Sequence, residues 1–355
     1  MTNLQRTRKS ENECVSIRAI EDEAAAVFAF LDATATRRGR AHWEWKYRLQ
    51  RPGTPAGFCW YDDDGSIAGS IGLMPTTLHT SAQTIAAAWF VDWHVAAPKR
   101  GNGIGSQLLQ RAEAEPGLLC TLHGSAQARR LLPHLGWHCA LAPATWVLPL
   151  TARCVATWSQ RRLPRWVQPL ADPIGSSIAA YFRPQAPPPR ADLALVDVER
   201  LPDSYDAVWQ ARAPEFAPLM QRGAVDLNWF CADDPDGGYS LRLLRQDGEV
   251  AGHLIWRIDV DAHGLRRGRI VDLLWPRARA DIAEWLVANA AWRLQEAEAD
   301  YVDIVVSVPD LGATVRRCRF IRSRPLRLWY HHLPPGTPPP DHWYITYFDC
   351  DRAYR

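Results

Sequence analysis

The 355-residue chain is longer than one hydrophobic core ordinarily supports, so two domains of about 150 to 180 residues each are expected. With 47% hydrophobic and 23% charged residues, the composition is that of a packed protein, which excludes a mainly disordered or fibrous chain. The 41 basic residues are interspersed with 39 acidic ones for a net charge of +2, without the basic stripe that specific nucleic-acid binding uses.

Met1 to Glu23 is polar and mixed in charge and lacks the apolar stretch of a signal peptide, which points to a cytoplasmic protein. Glu21 to Thr36 carries Val27, Phe28 and Leu31 at helical spacing and predicts the first helix. Asp64-Gly65, between two strand-like runs, signals a two-residue hairpin because glycine accepts positive φ. Ile85 to Ala97 is the most apolar run, but Asp92 and His94 interrupt it and it is too short to span a bilayer. Within it, Trp89 to Val95 reads as a strand. Ile104 to Glu115 sets Ile104, Leu108, Leu109 and Ala112 on one helical face, Pro116-Gly117 ends it, and Leu118 to Leu122 reads as a short buried strand.

From Thr151 to Arg190, Pro164, Pro169, Pro173, Pro184 and Pro187-Pro188-Pro189 interrupt regular structure and predict a linker. Its Arg161, Arg162, Arg165 and Trp166 read as part of a solvated connection in preference to a membrane-surface contact. A second proline cluster, Pro334 to Pro340, precedes the strand-like Trp343 to Phe348, a candidate edge strand. The eight cysteines are scattered, with no paired spacing or nearby histidine of a metal-binding pattern, and read as reduced, mostly buried thiols.

The two halves repeat one another. Asp64-Gly65-Ser66-Ile67-Ala68-Gly69 matches Asp247-Gly248-Glu249-Val250-Ala251-Gly252, and three further landmarks follow in the same order at nearly the same offset: Trp45 with Trp229, Val91-Asp92 with Val271-Asp272, and Gly136-Trp137 with Arg319-Phe320. A duplication is inferred.

The chemistry lies in the turn Arg100-Gly101-Asn102-Gly103-Ile104-Gly105-Ser106, between a strand and a helix. Its glycines let the backbone curl and present N–H groups outward, and the helix adds unpaired amides and the positive end of its dipole. Such a turn suits an anion, a pyrophosphate above all, and Arg100 adds a cation. No lysine follows the glycines as a Walker loop requires. A dinucleotide fingerprint is weak, because Ser106 replaces the third glycine and no acidic residue follows Leu118 to Leu122.

Arg100-x-x-Gly103-x-Gly105 in this setting resembles the acyl-CoA pyrophosphate loop of the GNAT superfamily of N-acyltransferases. Ser125 to Trp137, a helix ending in glycine and an aromatic, resembles that family's later motif. Trp43-x-Trp45-Lys46-Tyr47 resembles the opening of a bacterial subgroup, some of whose members accompany polysaccharide loci. The resemblance covers roughly residues 15 to 148 and, more faintly, 192 to 330. It implies an α/β (α+β) protein of two tandem GNAT-like domains, each a mixed, mostly antiparallel sheet flanked by helices, an arrangement also seen in mycothiol synthases and peptidoglycan aminoacyltransferases. The expected division is 1–150 for the acyl-CoA-binding domain, 151–190 for the linker, 191–333 for a degenerate GNAT-like domain and 334–355 for the tail. No glycine remains at the matching segment Val271 to Arg279, so one active site per chain is expected.

The implied activity is transfer of an acyl group from acetyl-CoA or another acyl-CoA to a primary amine by direct attack in a ternary complex. The expected cofactor contacts are Trp93, Val95, Arg100, Gly101, Asn102, Gly103, Ile104, Gly105, Ser106 and Ser125. Strand alternation puts Asp92 and His94 on one face, and either is a candidate base. The recurrence of aspartate as Asp272 favours a structural Asp92 and a catalytic His94. The family's frequent tyrosine acid falls at Leu132 and its usual asparagine at Ser125, leaving His123, His134, Tyr47 or water to protonate the thiolate. Cys120 and Cys139 admit a covalent acyl-enzyme, though buried structural cysteine is the simpler reading. Two other functions stay open: a non-catalytic acyl-CoA-binding or scaffold protein, and an aminoacyl-type transferase of cell-envelope synthesis. The acceptor, the acyl length and the oligomeric state are not legible.

Overall fold

The computed structural model describes residues 17–35, 37–47, 55–141, 143–159 and 171–351. The opening polar stretch up to residue 16 and the Arg161, Arg162, Arg165 and Trp166 cluster lie outside these described residues.

In chain order the elements of the first half are β1 (Ile17–Ala19), α1 (Ala24–Thr34), α2 (Arg40–Tyr47), β2 (Gly57–Tyr61), β3 (Ile67–His79), β4 (Thr84–Val95), α3 (Ile104–Glu113), β5 (Leu118–Leu122), α4 (Ala126–Leu131), β6 (His138–Ala140) and β7 (Ala144–Pro149). Two helices follow, α5 (Ala152–Ser159) and α6 (Ala171–Phe182). The second half comprises β8 (Leu193–Val198), α7 (Tyr205–Phe216), β9 (Leu219–Met220), α8 (Ala224–Cys231), β10 (Tyr239–Gln246), β11 (Glu249–Val260), β12 (Arg266–Leu274), α9 (Ala280–Glu296), β13 (Tyr301–Val306), α10 (Pro309–Arg317), β14 (Ile321–Pro325) and β15 (Leu328–His331).

Two mixed, mostly antiparallel sheets result, each flanked by helices. The first runs β1-β2-β3-β4-β5-β15-β6, with β9 paired to β3, and the second runs β14-β7-β13-β12-β11-β10-β8. Both Asp-Gly hairpins form at their repeated positions, joining β2 to β3 and β10 to β11. Each sheet has one parallel pair at the corresponding place, β4 with β5 and β12 with β13. The helix C-terminal landmark is also shared. Gly136 and Arg319 take left-handed conformations at φ 82° and φ 67°, and the next residue's N–H returns to the carbonyl five residues back, Trp137 to Leu132 and Phe320 to Val315.

Sheet membership departs from a contiguous division of the chain. Ala144–Pro149, expected to close the first domain, pairs with β13 and β14 in the second sheet. Leu328–His331, expected within the second domain, inserts between β5 and β6 of the first. The halves have exchanged strands, so each sheet is completed by the other half. Among the described residues, the expected linker between 151 and 190 contains two helices, and Pro173 falls in the first turn of α6, where its missing N–H costs nothing.

The tail does not form an edge strand. Trp343, Tyr344, Ile345, Thr346 and Asp349 are at most 1% exposed, and the segment's one ladder contact is the bridge Leu219↔Tyr344. It lies instead in the middle of the second sheet, as described below. Among the described residues, no helix is long and apolar enough to cross a membrane.

Candidate active site

The site begins where two parallel strands part. β4 and β5 pair only from Ala87↔Leu118 to Trp89↔Cys120. Beyond that point β4 continues along β3 to Val95, whereas β5 continues along β15. The β5-facing edge of β4 after Trp89 therefore borders a gap.

A β-bulge shapes this edge. The register passes from Gly72↔Val91 to Ser70↔His94, so Asp92 and Trp93 together oppose Ile71, and Asp92 takes φ 47°. The extra residue breaks the alternation that was expected to place Asp92 and His94 together. Asp92 turns into the core at 6% exposure, where it accepts a hydrogen bond from the Tyr47 hydroxyl at 2.9 Å and pairs with Lys46 Nζ at 2.5 Å. Lys46 is itself buried and stands 3.3 Å from Asp351. His94, with Trp93 and Val95, lines a cavity of about 700 Å³ on the other side, and Asp92 is not among the lining residues.

The glycine turn forms the cavity's second wall. Gly101 and Gly103 adopt φ 90° and φ 81°, and Gly103 is the N-cap of α3, with no side chain satisfying the first amides of that helix. A Cβ at Gly101 would meet nothing within 4 Å, so the turn faces open space and is not filled by the protein's own side chains. Gly105 serves a different need. Its carbonyl accepts the Trp93 indole N–H at 3.0 Å, and a Cβ there would stand 3.3 Å from Trp93 Nε1. That close approach holds the helix N-terminus against the bulged strand.

Residues Ser125 to Leu131 make the third wall. Ser125 lines the cavity, and its hydroxyl caps α4 by accepting from the Ala128 N–H at 3.1 Å. Of the expected cofactor contacts, Trp93, Val95, Arg100, Gly101, Gly103, Ile104, Gly105, Ser106 and Ser125 surround the cavity, while Asn102 does not. Sequence reading missed Thr34, Lys99, Gln127 and Arg130. Lys99 was readable as the neighbour of Arg100, but Arg130 carried no local signal because a turn of α4 delivers it from the far side of the gap. Among the described residues, three cations and no carboxylate line the cavity. Arg100 is anchored by its Nε donating to the Val95 carbonyl at 3.1 Å, and Lys99 by an ion pair with Asp62.

The remaining candidates lie elsewhere. Leu132 is fully buried, His134 is exposed, and neither these nor His123 and Tyr47 line the cavity. Cys120 is fully buried and its thiol is pushed well up by burial, which removes the thiolate a nucleophile needs. Cys139 is exposed on β6, away from the cavity, with its thiol also raised by partial burial.

The corresponding place in the second sheet is closed. β12 and β13 pair from Arg267↔Tyr301 to Ile270↔Ile304 and then part. The tail fills that opening: the Phe348 N–H donates to the Val271 carbonyl at 3.1 Å, the Tyr344 hydroxyl to the Leu273 carbonyl at 2.7 Å, and the Ser307 hydroxyl, just beyond β13, to the Trp343 carbonyl at 2.6 Å. Asp272, the counterpart of Asp92, is again buried on a cation, with Arg222 Nε at 2.9 Å. The turn before α9 is likewise occupied, its Arg277 N–H donating to Glu215 at 2.7 Å.

No curated protein matches this chain in sequence. Residues 18–136 match the model of the acetyltransferase (GNAT) family, a span that contains the bulge, the glycine turn and α4. Among solved structures, Saccharomyces cerevisiae N-myristoyltransferase with bound myristoyl-CoA is similar over 93% of this chain and 88% of its own, at 12% identity and a TM-score of 0.59. A GCN5-related N-acetyltransferase from Anabaena variabilis is similar over 88% of this chain and 72% of its own, at 14% identity and a TM-score of 0.60. At these identities the likeness is one of fold, and it extends across both sheets.

Proposed function

We propose, from the match of residues 18–136 to the acetyltransferase (GNAT) family model, that this protein transfers an acyl group, acetyl in the simplest case, from acyl-CoA to a primary amine of a small molecule or sugar. The observation that carries the proposal is the open cavity of about 700 Å³ where an uncapped helix N-terminus, three cations and a parted strand edge converge. An anion-binding turn beside such an edge suits a pyrophosphate joined to an extended thioester arm.

In this reading the amides of Gly101 to Gly105 and the start of α3 hold the pyrophosphate, with Lys99, Arg100 and Arg130 balancing its charge. The β5-facing edge of β4 from Trp93 to Val95 directs main-chain groups at the thioester and stabilises the oxyanion that forms on its carbonyl. His94 takes the proton released as the amine nitrogen bonds to the acyl carbon. The C–S bond breaks and the thiolate leaves. A thiol with a pKa of about 8.5 departs readily, so a proton from water suffices and Leu132 need not be replaced by another acid. Asp92 is committed to Lys46 and Tyr47 and serves as a structural anchor of the bulge.

The test is release of free CoA thiol from acetyl-CoA across a panel of primary amines. Release that depends on an amine supports the enzyme. Tight acetyl-CoA binding with no release from any amine would establish a non-catalytic acyl-CoA-binding protein instead.

A further inference from the structure

A second cluster of polar groups lies where the two halves meet, apart from the cavity. His42 projects from α2, while Asp234 and Asp236 belong to the turn Asp234-Pro235-Asp236 that follows α8. One ligand atom from each, the imidazole nitrogen and a carboxylate oxygen of either aspartate, lies within 4.8 Å of the others.

The arrangement is built, not incidental. Asp234 is 6% exposed, and its Oδ1 accepts the Asp236 N–H at 2.9 Å, which fixes the orientation of the carboxylate. Its other oxygen, Oδ2, has no hydrogen-bond donor, and Arg257 Nη1 stands off at 3.8 Å. A buried carboxylate oxygen left without a donor is costly, and nothing in the fold of the turn requires it. His42 is 3% exposed, and its Nδ1 lies 3.3 Å from Asp236 Oδ2. Nitrogen and oxygen ligands bound tetrahedrally at about 2.0 to 2.2 Å stand about 3.3 Å from one another, so this edge of a coordination polyhedron already has its length. The Asp234 oxygen completes the set within 4.8 Å of the other two ligand atoms.

We infer that His42, Asp234 and Asp236 form a divalent transition-metal site, with zinc its best fit, that clamps the first half of the chain to the second. Two carboxylates supply two negative charges, which a divalent cation neutralises. The imidazole selects zinc and its neighbours over magnesium and calcium, which take oxygen ligands. Asp236 is partly exposed and gives a path of entry. Arg38, whose Nη1 is 3.3 Å from Asp236 Oδ2, is 31% exposed, so a cation can replace it on that oxygen. The consequence is structural. His42 sits against Trp45, their ring centroids 5.4 Å apart, and Trp45 packs on Trp229 of the second half, so the metal would tighten the same junction.

The experiment strips metal from the full chain, dialyses it against Zn²⁺ at increasing concentration, and measures bound zinc by elemental analysis alongside the melting temperature. One equivalent of zinc is expected to bind specifically, with a melting temperature that rises with zinc concentration. Asp234→Asn and the more exposed Asp236→Asn should each weaken that binding tenfold or more, since losing even an outer partner of a ligand costs about 10- to 100-fold. Mg²⁺ should give no such rise. Zinc bound equally well by unaltered protein and Asp236→Asn would place the metal elsewhere, on cysteines such as Cys139, and overturn the inference. So would an unchanged melting temperature at saturating zinc, or an equal rise with Mg²⁺.

Discussion

Trp45 and Trp229 each donate an indole N–H to the other's backbone carbonyl, at 2.6 and 2.8 Å, with their rings stacked 5.4 Å apart at 25°. The two residues occupy equivalent places in the repeat, so the contact is nearly symmetric, as a two-fold interface between identical subunits would be. The duplicated halves meet through the same residue twice. Strand exchange binds the halves further, because β7 of the first half joins the second sheet and β15 of the second half, with β9, joins the first.

Replacing either tryptophan by phenylalanine keeps the stacking and removes one hydrogen bond. Trp45→Phe and Trp229→Phe should each cost about 1 kcal/mol in a denaturant titration. Because the two bonds share one geometry, the double variant should differ from the sum of the single ones by about 0.5 kcal/mol or more. Strict additivity would show that the two bonds act independently.

Gly103→Val should lower acetyl-CoA affinity at least tenfold by calorimetry. The cause is conformation, not space: a Cβ there meets only the Gln107 side chain at 3.7 Å, whereas φ 81° is strained for a β-branched residue by about 1 to 3 kcal/mol. Gly103→Ala should fall between. Pro276→Ala, at the matching turn of the second half, should leave affinity unchanged, and equal losses at both turns would contradict a single site.

His94→Gln and Asp92→Asn should separate catalysis from architecture. With a transferable amine, His94→Gln should reduce kcat by about 10² to 10⁴ and leave the KM for acyl-CoA nearly as it was. Asp92→Asn removes the carboxylate paired most closely with buried Lys46, leaving Asp351 at 3.3 Å, and its main effect should be a stability loss of about 3 to 5 kcal/mol. A full kcat in His94→Gln would remove the histidine from the mechanism.

Arg222 is a single buried cation shared by two carboxylates, with Nε 2.9 Å from Asp272 and Nη2 2.6 Å from Asp349. Burial raises Asp272, but Arg222 and His253 outweigh it and hold its carboxyl below the ordinary range; Asp349 is pushed by burial, against Arg222, up to about 6. Between about pH 4 and 6 the folded chain thus retains a proton on Asp349 that the unfolded chain has released. That group's stabilisation is complete below the ordinary carboxylate pKa and is lost as pH rises through about 6. Melting curves of unaltered protein and Asp349→Asn should therefore diverge in slope across this window and run parallel above it.

The amino-acid sequence alone was sufficient for whatever rests on short-range rules. The Asp-Gly hairpins, the glycine turn with its helix, and the repeat linking Trp45 to Trp229 were legible because turn geometry and periodicity are properties of a few adjacent residues. The lining of the cavity by Trp93, His94 and the glycines followed for the same reason. What the tertiary structure alone decided involves partners far apart in the chain. Asp92 and His94 part company because a bulge depends on the register against Gly72 and Ser70, which no local pattern announces. The exchange of β7 and β15 and the tail's insertion between β12 and β13 depend on which open sheet positions remain once both halves have folded. Trp343 to Phe348 looks like any apolar strand until the parted second sheet offers its backbone Ser307, Val271 and Leu273 as hydrogen-bond partners. Closure of the second gap is a property of that long-range fit.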